Sequence, residues 1–209
     1  MTNSTATVAI LRLPRLPQLP TALQTVRCDP ATLYRVSGHA TDEPYFGRAN
    51  TYRFDDPHPQ VAARFGTCYL GASLAVALAE TLLHDRNPIH NHFMVGLAVI
   101  QARFVIRLTG EMLILANLTG AALRKLGDHA GLSGTSSYAT TKAWSAAIHA
   151  HPDAVDGMLY MSRHKNDETA LVLFHRAAPK LAMASATPLS VHPDFGQVAT
   201  QLGIRSAWP

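Results

Sequence analysis

Apolar and polar positions along the chain fall into short runs set apart by polar or Gly- and Pro-rich breaks, a pattern of many small elements. Residues 32–37 (TLYRVS) and 67–70 (TCYL) carry the β-branched and aromatic content of short strands. Ser73 stands in N-cap position ahead of an apolar run and predicts a helix continuing to about His84. Residues 93–108 are β-rich, and breaks at Gly96 and at Gln101 and Ala102 divide them into two predicted strands. After an apolar segment over 112–116, Thr119 is placed to cap a short helix ending at Gly127, and residues 131–137 read as a Gly/Ser loop. A helix is predicted over 138–150, with Trp144 and Ile148 four apart on one face and Pro152 as its stop. Residues 157–162 (GMLYMS) and 169–175 (TALVLFH) then form strands joined by the polar turn 163–168, the pattern of an antiparallel hairpin. A last strand candidate covers 181–186, with a short helix after Pro193. Strands mix with helices without strict βαβ alternation, which predicts an α+β fold around a mixed sheet.

Two segments escape the pattern. Residues 38–65 show no regular period and are rich in Gly, Pro, Asp and His; an irregular stretch of that length inside a compact domain is functional or mobile. The N-terminal segment repeats Leu13-Pro14, Leu16-Pro17 and Leu19-Pro20, which favours extended chain, and it lacks the basic start and apolar core of a signal peptide. It predicts an extended arm over 1–30 ahead of one domain over 31–209, an ordinary size for a chain of 209 residues. The longest apolar run, 93–100, is eight residues, against about 20 for a membrane-spanning helix. Cys28 and Cys68 show neither a C-x-x-C spacing nor the density of a disulfide scaffold, consistent with a cytoplasmic, reducing setting.

Charge narrows the choice of partners. The net +4 divides evenly, with +2 on residues 1–64 and +2 on residues 65–209, and no basic run appears, so a direct nucleic-acid partner is not expected. Fourteen of the 18 cations are Arg, whose planar fork suits phosphate and carboxylate, although a GC-rich genome produces the same ratio. Phosphate-loop, dinucleotide-fingerprint, H-E-x-x-H and G-x-S-x-G motifs are all absent. His90 with His92, and His149 with His151, each offer two metal ligands without an obvious third, so no metal is expected.

The segment GTCYLGASLAVALAETLLHD (66–85) carries the most chemistry. Glu80 is the only charged residue between Arg64 and His84, in a chain with four Glu in all, and an ionised carboxylate in apolar company requires a partner. Ser73, Ala77, Glu80 and His84 share one helical stripe, which either faces water or lines a cleft. Arg35, among Leu33, Tyr34 and Val36, either lies on an exposed strand face or meets an anion such as Glu80 or a ligand phosphate. Ser162 ends its strand where a hydroxyl either reaches a cleft or satisfies its own turn, and Tyr69 closes the strand before the helix as a core or a cleft residue.

Taken together, the Arg of LYRVS, the YLGASLAVALAE segment and the Ser of DGMLYMSRH resemble the Arg, Glu and Ser for which the RES domain family is named, with the clearest match over 33–174. The resemblance implies a fold similar to ADP-ribosyltransferase toxins. It implies a bacterial toxin acting on NAD and paired with an Xre-like helix-turn-helix antitoxin, with a homo-oligomer within that complex also open. It places the catalytic roles on Arg35, Glu80 and Ser162 and substrate contacts on Arg53 and Tyr69, with NAD as substrate and no further cofactor. Around Arg53 the family often carries Gly-Arg-Trp or Gly-Arg-Phe, whereas here Tyr52 precedes the Arg. Three readings are open: NAD cleavage at the nicotinamide–ribose bond by hydrolysis or phosphorolysis, ADP-ribosyl transfer to a protein, and a non-catalytic nucleotide- or peptide-binding module.

Overall fold

The computed structural model describes residues 19–135 and 137–207. Its centre is an eight-stranded mixed sheet in the order β1 (Thr25–Cys28), β6 (Leu113–Leu118), β7 (Gly157–Met161), β8 (Thr169–Phe174), β3 (Thr67–Gly71), β2 (Tyr34–Ser37), β5 (Phe104–Gly110), β9 (Leu181–Pro188). β6 and β7 run parallel and every other neighbouring pair in this sheet is antiparallel, including the β7–β8 hairpin read from the sequence. A separate two-stranded parallel sheet joins β4 (Phe93–Gly96) to β10 (Ile204–Ala207). This is the expected α+β class.

One seam divides the large sheet. β3 and β8 pair along five residues, but β2 and β3 pair only at Tyr34 and Gly71, so the sheet parts beyond that point into a five-strand half and a three-strand half. Three apolar clusters hold the halves. One lies beneath β6, β7 and β8, where Ala116, Leu118, Met158, Tyr160, Val172 and Phe174 pack on Trp144 and Ile148 of helix α5 (Tyr138–His149). Trp144 and Ile148 are both almost fully buried, as their four-residue spacing predicts. A second packs helix α1 (Leu74–Leu78) against Val36 and Val105, with Ile100 of helix α2 (Leu97–Gln101) and partners from helix α6 (Phe195–Gln201). The third, on the opposite strand positions, is supplied almost entirely by strands, among them Cys68, Leu70, Ile106, Leu115 and Leu173.

Ser73 caps α1 as expected, its Oγ accepting from Val76 N at 3.2 Å. Directly after α1, Ala79–Leu83 widen into a π turn. The extra residue rotates the downstream positions relative to a regular helix, so the predicted stripe does not stay on one face. Ala77 is buried in the second cluster, Glu80 is half-buried, and His84 is exposed.

Two local expectations are corrected. Between β4 and β5 the chain does not continue as strand: Leu97–Gln101 close one helical turn that buries Ile100. A short apolar run fits either state, and burial on one side decides it. The Gly/Ser loop expected over 131–137 begins as the four-residue helix α4 (Gly131–Gly134), whose Leu132 and Ser133 are buried, just after helix α3 (Gly120–Lys125). Of the predicted N-terminal arm, residues 1–18 lie outside the described residues. Its later part forms β1 against β6, and Leu23 N donates to Asp153 Oδ2 at 2.7 Å. Among the described residues no helix is long and apolar enough to cross a membrane.

Candidate active site

The irregular stretch between β2 and β3 is built rather than loose. Asp55, buried, accepts at Oδ2 from Thr51 N (2.9 Å) and Tyr52 N (2.8 Å), and at Oδ1 from Thr67 Oγ1 (2.6 Å) and Tyr69 Oη (2.9 Å). Helix α5 fastens the same loop from the other side. Lys142 Nζ donates to Asn50 O at 2.8 Å, Thr141 Oγ1 to Arg53 O at 2.5 Å, and Ser145 Oγ to Phe54 O at 2.6 Å. Charge-assisted and buried bonds of this kind are the stronger ones, and several of them on one short loop leave it little freedom.

Glu80 and Ser162 meet, although 82 positions separate them along the chain. The Ser162 hydroxyl donates to Glu80 Oε1 at 2.6 Å, and Arg163 N donates to the same oxygen at 3.1 Å. Ser162 Oγ also accepts from Lys165 N at 3.0 Å, so one hydroxyl both closes its own turn and holds the carboxylate. Among the described residues Glu80 Oε2 makes no hydrogen bond. Ser162 is buried at the end of β7, and Tyr160, two residues earlier on the same strand, lies beside Glu80. Burial, followed by the Glu80 charge, raises the Tyr160 pKa well above its ordinary value, so this hydroxyl stays protonated. His164 sits in the field of Glu80, Arg163, His84 and Arg53; burial above all lowers its pKa.

Arg35 does not meet Glu80. Its guanidinium fills the seam between β2 and β3, where Nε pairs with Glu43 Oε2 at 2.7 Å and Nη1 donates to Tyr69 O at 3.1 Å. The Glu43 side chain is fully buried, and its Oε2 also accepts from Tyr45 N at 2.8 Å. Nη2 of Arg35 makes no hydrogen bond among the described residues. The anion expected for this Arg is therefore Glu43, a residue the sequence left in an unstructured stretch.

Arg53 points toward α4 rather than into open solvent. Its Nη1 donates to the carbonyls of Ser133 (2.5 Å) and Thr135 (3.0 Å), and its guanidinium lies 5.4 Å from the Tyr138 ring centre. Burial lowers its pKa. Tyr69 is held at both ends of its hydroxyl, donating to Asp55 and accepting from Phe54 N at 3.0 Å. Burial first, then the adjacent Asp55 charge, raises its pKa well above the ordinary value. A hydroxyl so engaged stays protonated and is not available as an acid or base.

The second histidine pair has partners of its own. His149 stacks on Phe65 with centroids 4.0 Å apart, and His151 Nε2 lies 2.9 Å from Pro20 O. Among the described residues no group of three metal-ligating side chains converges.

The chain is thus an α+β protein with a mixed sheet parted by a seam, a carboxylate–serine pair at one strand end and an arginine wedged in the seam. A family model for the RES domain matches residues 32–195, and the chain belongs to that family. It is 32% identical over 111 residues to "Probable toxin y4kH" of Sinorhizobium fredii (strain NBRC 101917 / NGR234), covering 53% of this chain and 84% of that protein. In fold it is similar to a chain in the crystal structure of the M. tuberculosis MbcT–MbcA toxin–antitoxin complex, with a TM-score of 0.58 at 15% identity. That match covers 84% of this chain and 92% of the other.

Proposed function

We propose that the protein is the toxin of a RES-type toxin–antitoxin pair and that it cleaves NAD at the nicotinamide–ribose bond, using Arg35, Glu80 and Ser162 as catalytic residues and Arg53 and Tyr69 as substrate contacts. Family membership and the toxin relative support the coarser part of this reading. The observation that supports the finer part is the 2.6 Å bond from Ser162 Oγ to Glu80 Oε1, which fixes a half-buried carboxylate at the end of β7.

The chemistry suits that arrangement. When the bond from nicotinamide nitrogen to the ribose C1′ breaks, its electron pair leaves with nicotinamide, which departs neutral and needs no proton. Positive charge develops on the ribose, and a fixed carboxylate stabilises it directly or through a ribose hydroxyl. Water or phosphate then adds at C1′ and gives up its proton to solvent. Arg35 Nη2 is the free donor for the dianionic pyrophosphate. Neither a metal nor a second cofactor has a role in this scheme. The partner in this reading is an Xre-like antitoxin, and the setting is the cytoplasm.

The test is NAD consumption by purified protein, with water or phosphate as acceptor. Wild type is expected to release nicotinamide and Glu80→Gln to lose at least about 100-fold of that rate, the scale of removing one preorganised electrostatic group. Absence of nicotinamide release by wild type with either acceptor overturns the proposal. Label from NAD retained on one acid-precipitable protein band assigns ADP-ribosyl transfer instead.

A further inference from the structure

Tyr52 stands apart from the residues assigned so far. The residue is 53% exposed, although its own backbone N–H is fixed to buried Asp55 at 2.8 Å and the loop on either side is fastened to α5. An aromatic side chain displayed on a rigid support loses little freedom on meeting a ligand. The ring lies edge-on to Tyr69, with centroids 5.7 Å apart and planes at 67°. Tyr69 cannot move to accommodate it, because its hydroxyl is held by Asp55 and Phe54. Arg35 Nη1 donates to Tyr69 O at 3.1 Å, which sets the guanidinium beside the residue that carries the second ring. Arg53, the next residue, turns the other way toward the Ser133 and Thr135 carbonyls.

We propose that Tyr52 is a substrate-contacting, specificity-determining residue: with Tyr69 it forms a preorganised aromatic corner that takes a flat heteroaromatic ring of a phosphate-bearing ligand. Two rings set at a wide angle offer one face for stacking and one edge for a T-shaped contact, the two favoured aromatic geometries. A phosphate on the same ligand meets the unengaged Nη2 of Arg35. The inference rests on the NAD reading for the identity of the ligand, and both the nicotinamide and the adenine of a dinucleotide satisfy its chemistry.

The experiment compares wild type, Tyr52→Ala and Tyr52→Phe in the full chain. In NAD cleavage, Tyr52→Ala is expected to raise KM about five- to tenfold, the scale of losing one base–aromatic stack. Tyr52→Phe, which keeps the ring, is expected to recover most of that loss. Calorimetric titration with ADP-ribose and with nicotinamide mononucleotide identifies the ring: the ligand whose affinity falls in Tyr52→Ala carries it. An unchanged KM in a cleaving Tyr52→Ala protein overturns the corner and leaves the NAD reading standing. If wild type does not cleave NAD, the titrations still decide, since equal affinity of wild type and Tyr52→Ala for both ligands removes the proposal. Thermal melting of each variant confirms that the exposed substitution leaves the fold in place.

Discussion

At the scale of single residues, burial governs which ionisable groups are available. His149 is the clearest case. It lies flat on Phe65, with Phe174 edge-on at 5.0 Å, and its pKa is lowered to about 4, by burial first and then by the nearby Arg176 charge, with Asp56 opposing. A depressed histidine pKa means that the unfolded chain takes up a proton that the folded chain refuses. Stability is therefore complete above the unfolded value of about 6.5 and declines as pH falls toward 4. Between pH 7 and pH 5.5 this one group accounts for about 1 kcal/mol, allowing for its partial exposure. Urea denaturation at the two pH values is expected to show that loss in wild type and not in His149→Phe, which keeps the stack without the titration. Equal losses in the two proteins assign the effect elsewhere.

Single residues also mark where sequence reading stops. Glu80 and Ser162 were recognisable, because a lone carboxylate in an apolar helix and a hydroxyl closing an apolar strand are both local signals. Of the two carboxylates that organise Arg35 and Tyr69, Glu43 gave none and Asp55 a single one. Each lies in an irregular segment and acquires its role only when β2 and β3 converge. Asp55 had one visible trace, as half of an acidic pair directly after aromatic and basic positions in YRFDD.

At the scale of elements, the position of Glu80 depends on how closely α1 lies on the end of β3. Gly71 is the contact point. A Cβ there would stand 2.6 Å from Ala77 N and 2.8 Å from Ser73 O, both backbone atoms that yield only if the helix shifts. Gly71→Ala is expected to cost about 2 kcal/mol, typical of overpacking. That cost lowers the melting temperature by about 6 °C for a chain of this length. Because α1 leads directly into the π turn bearing Glu80, the same variant is expected to weaken the Glu80–Ser162 contact, read as a fall in NAD cleavage larger than the stability loss explains. A melting temperature within about 1 °C of wild type rejects the close approach. Element type was legible wherever a run had length and a cap, as in α1, α5 and the β7–β8 hairpin. It was not legible for Leu97–Gln101, where a single short apolar turn fits two states, nor for the π turn, which has no signature in hydrophobic period.

At the scale of the whole molecule, the arginine excess acquires a structural explanation. Arg53 donates to the Ser133 and Thr135 carbonyls, and Arg64 to those of His58, Arg48 and Pro59. Arg86 reaches Leu82 and Met94, Arg107 reaches Ala31, and Arg176 reaches His149. Guanidinium groups used in this way fasten neighbouring segments of the chain to one another. Phosphate-backbone binding depends on many cations neutralising neighbouring phosphates at once, so a net +4 distributed in this manner gives little affinity for duplex DNA. The chain alone is expected to bind random-sequence duplex no tighter than about 10 μM at 150 mM salt, within the range of weak non-specific association. A gel-shift titration checks it: a discrete complex below about 1 μM, with a steep salt dependence, would show a basic surface assembled by the fold that the linear charge pattern conceals.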